Sequence, residues 1–275
     1  MPSTVAEVAL PDLLPLTLAY RSETGQRSRN EDALRVAQIG PVCHFIVSDG
    51  AGGHQRGEEA SRRVVDHLDA RLAEHAQSGA SPDATVLAEA ICAAHDELRQ
   101  LQSDQHASRR MHATVVALWI DRETREAVWS HVGDSRLYRL RHGRLDHVSE
   151  DDSVVQQMVR AGWLSPVQAR THPNKNQLVA ALGMAEQVQP HSHHDHIEEG
   201  DAYLLCSDGW WDPLDARVLE DTLARSLTAQ AWLAALLEHI TAHAPARQDN
   251  HSAIAVWIGQ PGDVTRPPFP SPLSR

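Results

Sequence analysis

The stretch PVCHFIVSDGAGGH at 41–54 decides how this 275-residue chain is read. A short apolar run, β-branched toward its end, predicts a buried strand, and it stops abruptly at Asp49-Gly50. A single Asp-Gly after a strand is an ordinary turn. The same form returns as YLLCSDG at 203–209, and NED at 30–32 and QDN at 248–250 also lie beside apolar runs. Carboxylates so far apart in sequence have a common use only if folding gathers them. The chemistry that such a gathering suits is a hard-cation site, with oxygen ligands for Mg2+ or Mn2+ and water in the remaining positions.

Outward from that stretch, GEEASRRVVDHLDARLAEHA (57–76) places Ala60, Val64, Leu68 and Leu72 on one helical face. A second helix is expected at about 83–102, with Val86, Ala90 and Ala94 on its apolar side. Strands follow in succession at 114–120, 127–132, 136–141 and 144–148, the last two joined at His142-Gly143 as a meander with one buried face. Residues 152–183 change to short helical pieces broken by Pro166 and Pro173. A strand at 203–206, helices near 215–226 and 228–243, and a strand at 252–258 complete the domain. Strands in runs with helices between them indicate an α+β fold, antiparallel sheet covered by helices. Residues 1–15 read as a loose N-terminal arm and the Pro-rich 261–275 as an extended tail.

Composition narrows the function. A formal charge of −12 argues against nucleic acid or an anionic membrane as partner, since both call for a basic footprint. No apolar stretch approaches the roughly 20 residues of a membrane span, and the N-terminus lacks the basic start of a secretory signal. Cys43, Cys92 and Cys206 show no CxxC pairing, which fits reduced thiols in a cytoplasmic protein.

If the strands ending near Asp49 and Asp208 neighbour the one beginning after Asp249, the three carboxylates converge. The backbone at Gly50 is open for close approach, so its carbonyl is a candidate ligand. Two divalent ions sharing Asp49 and a bridging water would turn that water into a hydroxide aimed in line at phosphorus. Arg27 is the candidate cation for the phosphate, with Arg29 its near rival by position. His54 is the candidate proton donor to the leaving alkoxide, against a bland reading as a turn histidine.

RSRNEDA, VSDGAGGH, HVGDSRLYRLRHG, LLCSDGWWD and QDNHSAIAV, in this order, resemble the bacterial type 2C (PPM) metal-dependent Ser/Thr protein phosphatases over roughly residues 16–260. The resemblance implies a four-layer α-β-β-α sandwich of two antiparallel sheets flanked by helices, with a binuclear Mg2+ or Mn2+ centre. Carried over by motif, Asp49 bridges both metals, Gly50 contributes its carbonyl, and Asp208 and Asp249 hold the first metal. Glu31 and Asp32 stand at the second metal, directly or through water, Arg27 binds substrate phosphate, and Asp134 serves a third, weaker metal site shared with Asp208. Segment 149–183 matches the family's flap. The implied substrates are phosphorylated Ser/Thr proteins, a cognate Ser/Thr kinase or that kinase's targets, acted on by a monomer. Departures include Ala51, His112-Ala113, Gln248, Ala180 and the close spacing of Gly25 and Arg27; none removes a carboxylate.

Plainer readings stand beside these. Asp134 in Gly-Asp-Ser suits a turn cap, HSHHDH (191–196) a solvated strand or loop, and Trp210 and Trp211 packing residues. The rival function is a catalytically silent copy of the fold acting as a scaffold or binding module, which would be expected to lose a metal carboxylate. A two-metal phosphodiesterase or nuclease is disfavoured by the acidic charge.

Overall fold

Strand β3 (Val42–Ala51) buries every residue from Val42 to Ser48, which a strand does only when a layer covers each of its faces. The computed structural model describes residues 13–51, 56–103, 110–184, 186–243 and 248–259. The expected arm up to residue 12, His54 with its GGH turn, and the tail 261–275 lie outside the described residues.

Two antiparallel sheets form the centre. One runs β1 (Leu16–Glu23), β11 (His251–Ile258), β10 (Ala202–Cys206), β7 (Arg136–Arg141), β8 (Arg144–Val148). The other runs β2 (Asp32–Ile39), β3, β5 (Val115–Asp121), β6 (Glu126–Val132), β9 (His191–His196), with the short β4 (His112–Ala113) pairing β3. Side chains alternate between faces. From β3, Phe45 and Val47 meet Leu205, Ile254 and Val256 between the sheets, while Ile46 faces α1 (Arg56–Gln77) and α2 (Ala84–Gln100). From β10 and β11, Leu204 and Ala255 face α5 (Asp208–Trp211), α6 (Ala216–Arg225) and α7 (Ala229–His243). The order is helices, sheet, sheet, helices, the sandwich that the resemblance implies.

The helices form where the apolar period places them. Ala60, Val64, Leu68 and Leu72 are fully buried on α1. On α2 the buried stripe is Leu87, Ala90, Ile91, Ala94 and Leu98, and the Asp83 carboxylate caps the start by accepting from the N–H groups of Thr85 and Val86. Val86 sits at the stripe's margin, half-buried. Within 149–183, α3 (Val154–Arg160) is capped by Ser153, and α4 (Pro166–Arg170) by a Ser165–Gln168 capping box with Pro166 in its first turn.

β7 and β8 pair through His142-Gly143 as expected, and the single buried face expected of them is corrected. β5–β6 and β7–β8 lie in different sheets, and the chain crosses between them at Gly133-Asp134-Ser135, Gly133 with φ +98°. Consequently β7 buries both faces, Leu137 toward the other sheet and Tyr138 and Leu140 toward the helices. The crossover also puts Asp134 at the junction of the sheets. HSHHDH becomes β9, a half-exposed edge strand, and Trp210 and Trp211 are both buried.

Candidate metal and phosphate site

Asp32 and Asp49 are cross-strand partners at the end of the β2–β3 pair. The Asp49 backbone is fixed on both sides by Thr114: its N–H donates to Thr114 Oγ1 (3.1 Å), and its carbonyl accepts the Thr114 N–H (2.8 Å). In the other sheet, β10 ends into Ser207-Asp208 beside the start of β11, where Asp249 and Asn250 precede His251. Ser207 donates its N–H to the Ser252 carbonyl (3.0 Å), and Ser207 Oγ accepts the Ser252 N–H (3.0 Å). The same Oγ donates to Asp32 Oδ2 (2.8 Å), so one hydroxyl joins the ends of both sheets. Asp134 is tied in from the crossover, its carbonyl accepting the Trp211 indole N–H (2.7 Å).

Steric fit fixes the remaining backbone. Gly50 donates its N–H to the Glu31 carbonyl (3.1 Å), and a Cβ at Gly50 would meet the Gly57 carbonyl oxygen at 2.0 Å, where α1 crosses the strand. Gly25, at φ +61°, packs so tightly that a Cβ would lie 2.2 Å from the Asp249 carbonyl oxygen. Asn250 fastens the loop between them. Its Oδ1 accepts the Glu31 N–H (2.9 Å), and its Nδ2 donates to the carbonyls of Thr24 and Arg29 (2.8 Å each).

The carboxylates feel one another. Burial pushes Asp32 up to about 7; Asp208 and Asp249 push the same way, and hydrogen bonds from Ser252 and Ser207 pull back. Burial, reinforced by Asp249, lifts Asp208 to about 6, partly offset by hydrogen bonds from the Gly209 backbone and from Asp49. Burial drives Asp49 well above the ordinary carboxylate range, with Asp32, Asp208, Asp134 and Asp249 adding repulsion. Asp134 is raised in the same way, by burial and then by Asp208. Glu31 is raised by burial, which the Arg27 charge opposes.

The donor set is all oxygen, and Asp32 Oδ1 is buried without a hydrogen-bond partner among the described residues. Buried carboxylates repelling one another need a counter-charge, and a hard divalent cation is the one that oxygen donors suit. Among the described residues no three His, Cys, Asp or Glu side chains are already drawn into a ligand cage. The carboxylates lean instead on other groups: Asp249 on Arg27 Nη2 (2.5 Å) and Asp32 on Ser207. Arg27, expected at the phosphate, stands on an exposed loop at the rim of the cluster.

The structure thus brings together Asp32, Asp49, Asp134, Asp208 and Asp249, with Glu31, Gly50 and Arg27 beside them. Sequence reasoning assigned no role to Ser207, Asn250, Thr114 or Gly57. Two of them carried a signal, since Ser207 and Asn250 are polar residues embedded in the acidic motifs themselves.

The sequence pattern of the family Protein phosphatase 2C matches residues 21–248, spanning every one of these positions except Asp249 and Asn250. The chain belongs to the protein phosphatase 2C family. It is 35% identical over 214 residues to the Serine/threonine protein phosphatase PstP of Mycobacterium tuberculosis, a match covering 75% of this chain but only 39% of that protein's length. Among solved structures, the catalytic domain of PstP in complex with two manganese ions superimposes with a TM-score of 0.74 at 27% identity, covering 90% of this chain and all of that one. PppA, described as a key regulatory component of T6SS in Pseudomonas aeruginosa, gives a TM-score of 0.72 at 30% identity, covering 90% of this chain and 99% of that one. The phosphatase 2C sandwich therefore accounts for both sheets and both helical layers described above.

Proposed function

We propose that this chain is a metal-dependent protein phosphatase that hydrolyses phosphoserine and phosphothreonine in bacterial signalling proteins. The observation that carries the reading is the cluster of Asp32, Asp49, Asp134, Asp208 and Asp249 at one end of the paired sheets. The manganese ions in the related PstP domain support the cofactor. Asp49, Asp208 and Asp249 would hold one Mg2+ or Mn2+, Asp49 with Glu31 and Asp32 a second, the Gly50 carbonyl would be a further ligand, and Asp134 with Asp208 would hold a weaker third. When bound, such ions lower the pKa of bound water and neutralise charge developing on phosphoryl oxygens.

The chain's own residues do the positioning. Thr114 holds the Asp49 backbone, Ser207 orients Asp32, and Asn250 keeps the 24–31 loop over the site. Arg27, exposed at the rim, presents its guanidinium to an incoming phosphate, which would exchange with Asp249 for it. The similarity to PppA supports regulation of type VI secretion as a setting. Three free cysteines support a reducing, cytoplasmic compartment.

The test is release of phosphate from a phosphothreonine peptide in Mn2+. Activity that stops on adding EDTA is expected; equal activity in EDTA overturns the reading.

A further inference from the structure

Beneath the 149–183 segment lies a cavity of about 420 Å³. Its lining is mixed: Trp211 and Leu214 from α5 and the turn after it, Val155 and Val159 from α3, and Ala169 from α4 make an apolar wall, while of the charged groups around it Lys175 pairs with Asp212 and Glu150 with Arg160. The charged groups of one wall are already satisfied. Arg136 lies 3.5 Å from the centroid of the Trp211 ring and donates two hydrogen bonds of 2.7 Å to Asp151. That wall offers little to a polar metabolite. On the rim, exposed Arg170 has no ion pair among the described residues.

One residue connects this cavity to the carboxylate cluster. Trp211 lines the cavity, its indole N–H holds the Asp134 carbonyl, and Asp208 begins the same short helix. The outside of the segment is apolar too, with Trp163 and Val167 76% and 77% exposed. Large apolar side chains left in water on a segment beside the catalytic cluster mark a protein-facing surface.

We propose that the cavity receives a bulky apolar side chain of the phosphoprotein substrate, a few residues from the phosphorylated Ser or Thr, with an acidic neighbour of that residue against Arg170. This rests on the phosphatase reading and names the substrate sequence that the site prefers. The cavity has ample room for a Leu or Phe side chain, and its apolar wall favours such a residue over Gly.

The test compares three substrates with Mn2+: p-nitrophenyl phosphate and two phosphothreonine peptides identical except for Leu or Gly at the flanking positions. The Leu peptide is expected to have a kcat/KM about tenfold higher, the scale on which apolar pockets discriminate. Ala169→Trp, which sets an indole against the apolar wall, is expected to bring the peptides to within about twofold and leave p-nitrophenyl phosphate turnover unchanged. Arg170→Glu, at an exposed position, is expected to abolish the preference for Glu over Gln beside the phosphothreonine, read on a further pair of peptides, and it serves should Ala169→Trp not fold. Equal rates on both peptides, or a preference that survives in folded Ala169→Trp, would overturn the proposal. If none of the three substrates turns over, the phosphatase reading fails separately. Fluorescence anisotropy of the labelled peptides then decides the cavity by the same Leu-against-Gly comparison.

Discussion

The guanidinium of Arg27 lies 2.5 Å from the carboxylate of Asp249, across 222 residues of sequence. The cation proposed for substrate phosphate thus rests on a carboxylate proposed for metal. Each ligand, on arrival, would free the partner of the other. Arg27→Ala is expected to raise KM for phosphopeptides at least tenfold, through loss of a charge-assisted phosphate contact. The same variant should bind Mn2+ somewhat more tightly, by a few-fold at most, because the lost pair is solvent-exposed and worth about 0–1 kcal/mol. Steady-state kinetics and calorimetry on one preparation read both effects; unchanged KM would remove Arg27 from the phosphate.

The carboxyls of Asp208 and Asp32 titrate near 6 and 7 in the folded protein, against about 4 for an ordinary Asp. Folding therefore takes up protons between about pH 4 and pH 7, and the contribution of these groups to stability falls as pH rises through that window. Asp208→Asn removes one such group. In the metal-free state the variant is expected to be more stable than the parent near pH 8, by on the order of 2 kcal/mol, with the gain vanishing toward about pH 4. Saturating Mn2+ should reverse the order, because only the parent gains the full stabilisation of binding. Thermal melts across pH, with and without Mn2+, check the sign; a gain that does not depend on pH would refute the argument.

Asn250→Ala leaves the Glu31 N–H and the carbonyls of Thr24 and Arg29 without their partner. Asn250 is itself buried, so the expected loss is about 1–3 kcal/mol for unsatisfied groups, read from urea denaturation. Activity should fall further than stability accounts for, since the loop carries Arg27 and Glu31. A variant with normal kcat/KM would show that the loop holds its place without Asn250.

Gly50→Ala sets a methyl 2.0 Å from the Gly57 carbonyl oxygen and 2.8 Å from that of Glu31. Backbone must move on one side or the other, and Gly50 carries a candidate ligand carbonyl. Destabilisation of about 1–3 kcal/mol or more is expected, a drop in Tm of several degrees, together with loss of Mn2+ binding. Gly50 does not lie in the left-handed region, so the cost is the steric clash and not backbone strain from a positive φ.

Much of this site was legible in the chain because strands that are buried on both faces must end where the chain returns to water. Asp49 and Asp208 follow two such runs and Asp249 precedes a third, so their convergence needed only that those runs be neighbours. β1 and β2 were not read as strands. They are sheet edges, half-buried for much of their length, and LTLAYRSE and DALRVAQI lack the continuous apolar run or clean alternation that a central strand carries. β9 was read only as a solvated strand or loop for the same reason, an edge strand built from HSHHDH with three of its six residues exposed.

By itself the sequence determined the local elements and the chemistry available: apolar periods for helices and central strands, Asp-Gly at their ends, oxygen donors suited to a hard cation. Only the tertiary structure decided which strands share a sheet. Pairing is a long-range choice made by side-chain packing between layers, and it moved β7 away from β6, carried Asp134 across the junction, and set Ser207 between Asp32 and β11. A hydroxyl bridging two sheets has no local signature, because both of its partners arrive from distant parts of the chain.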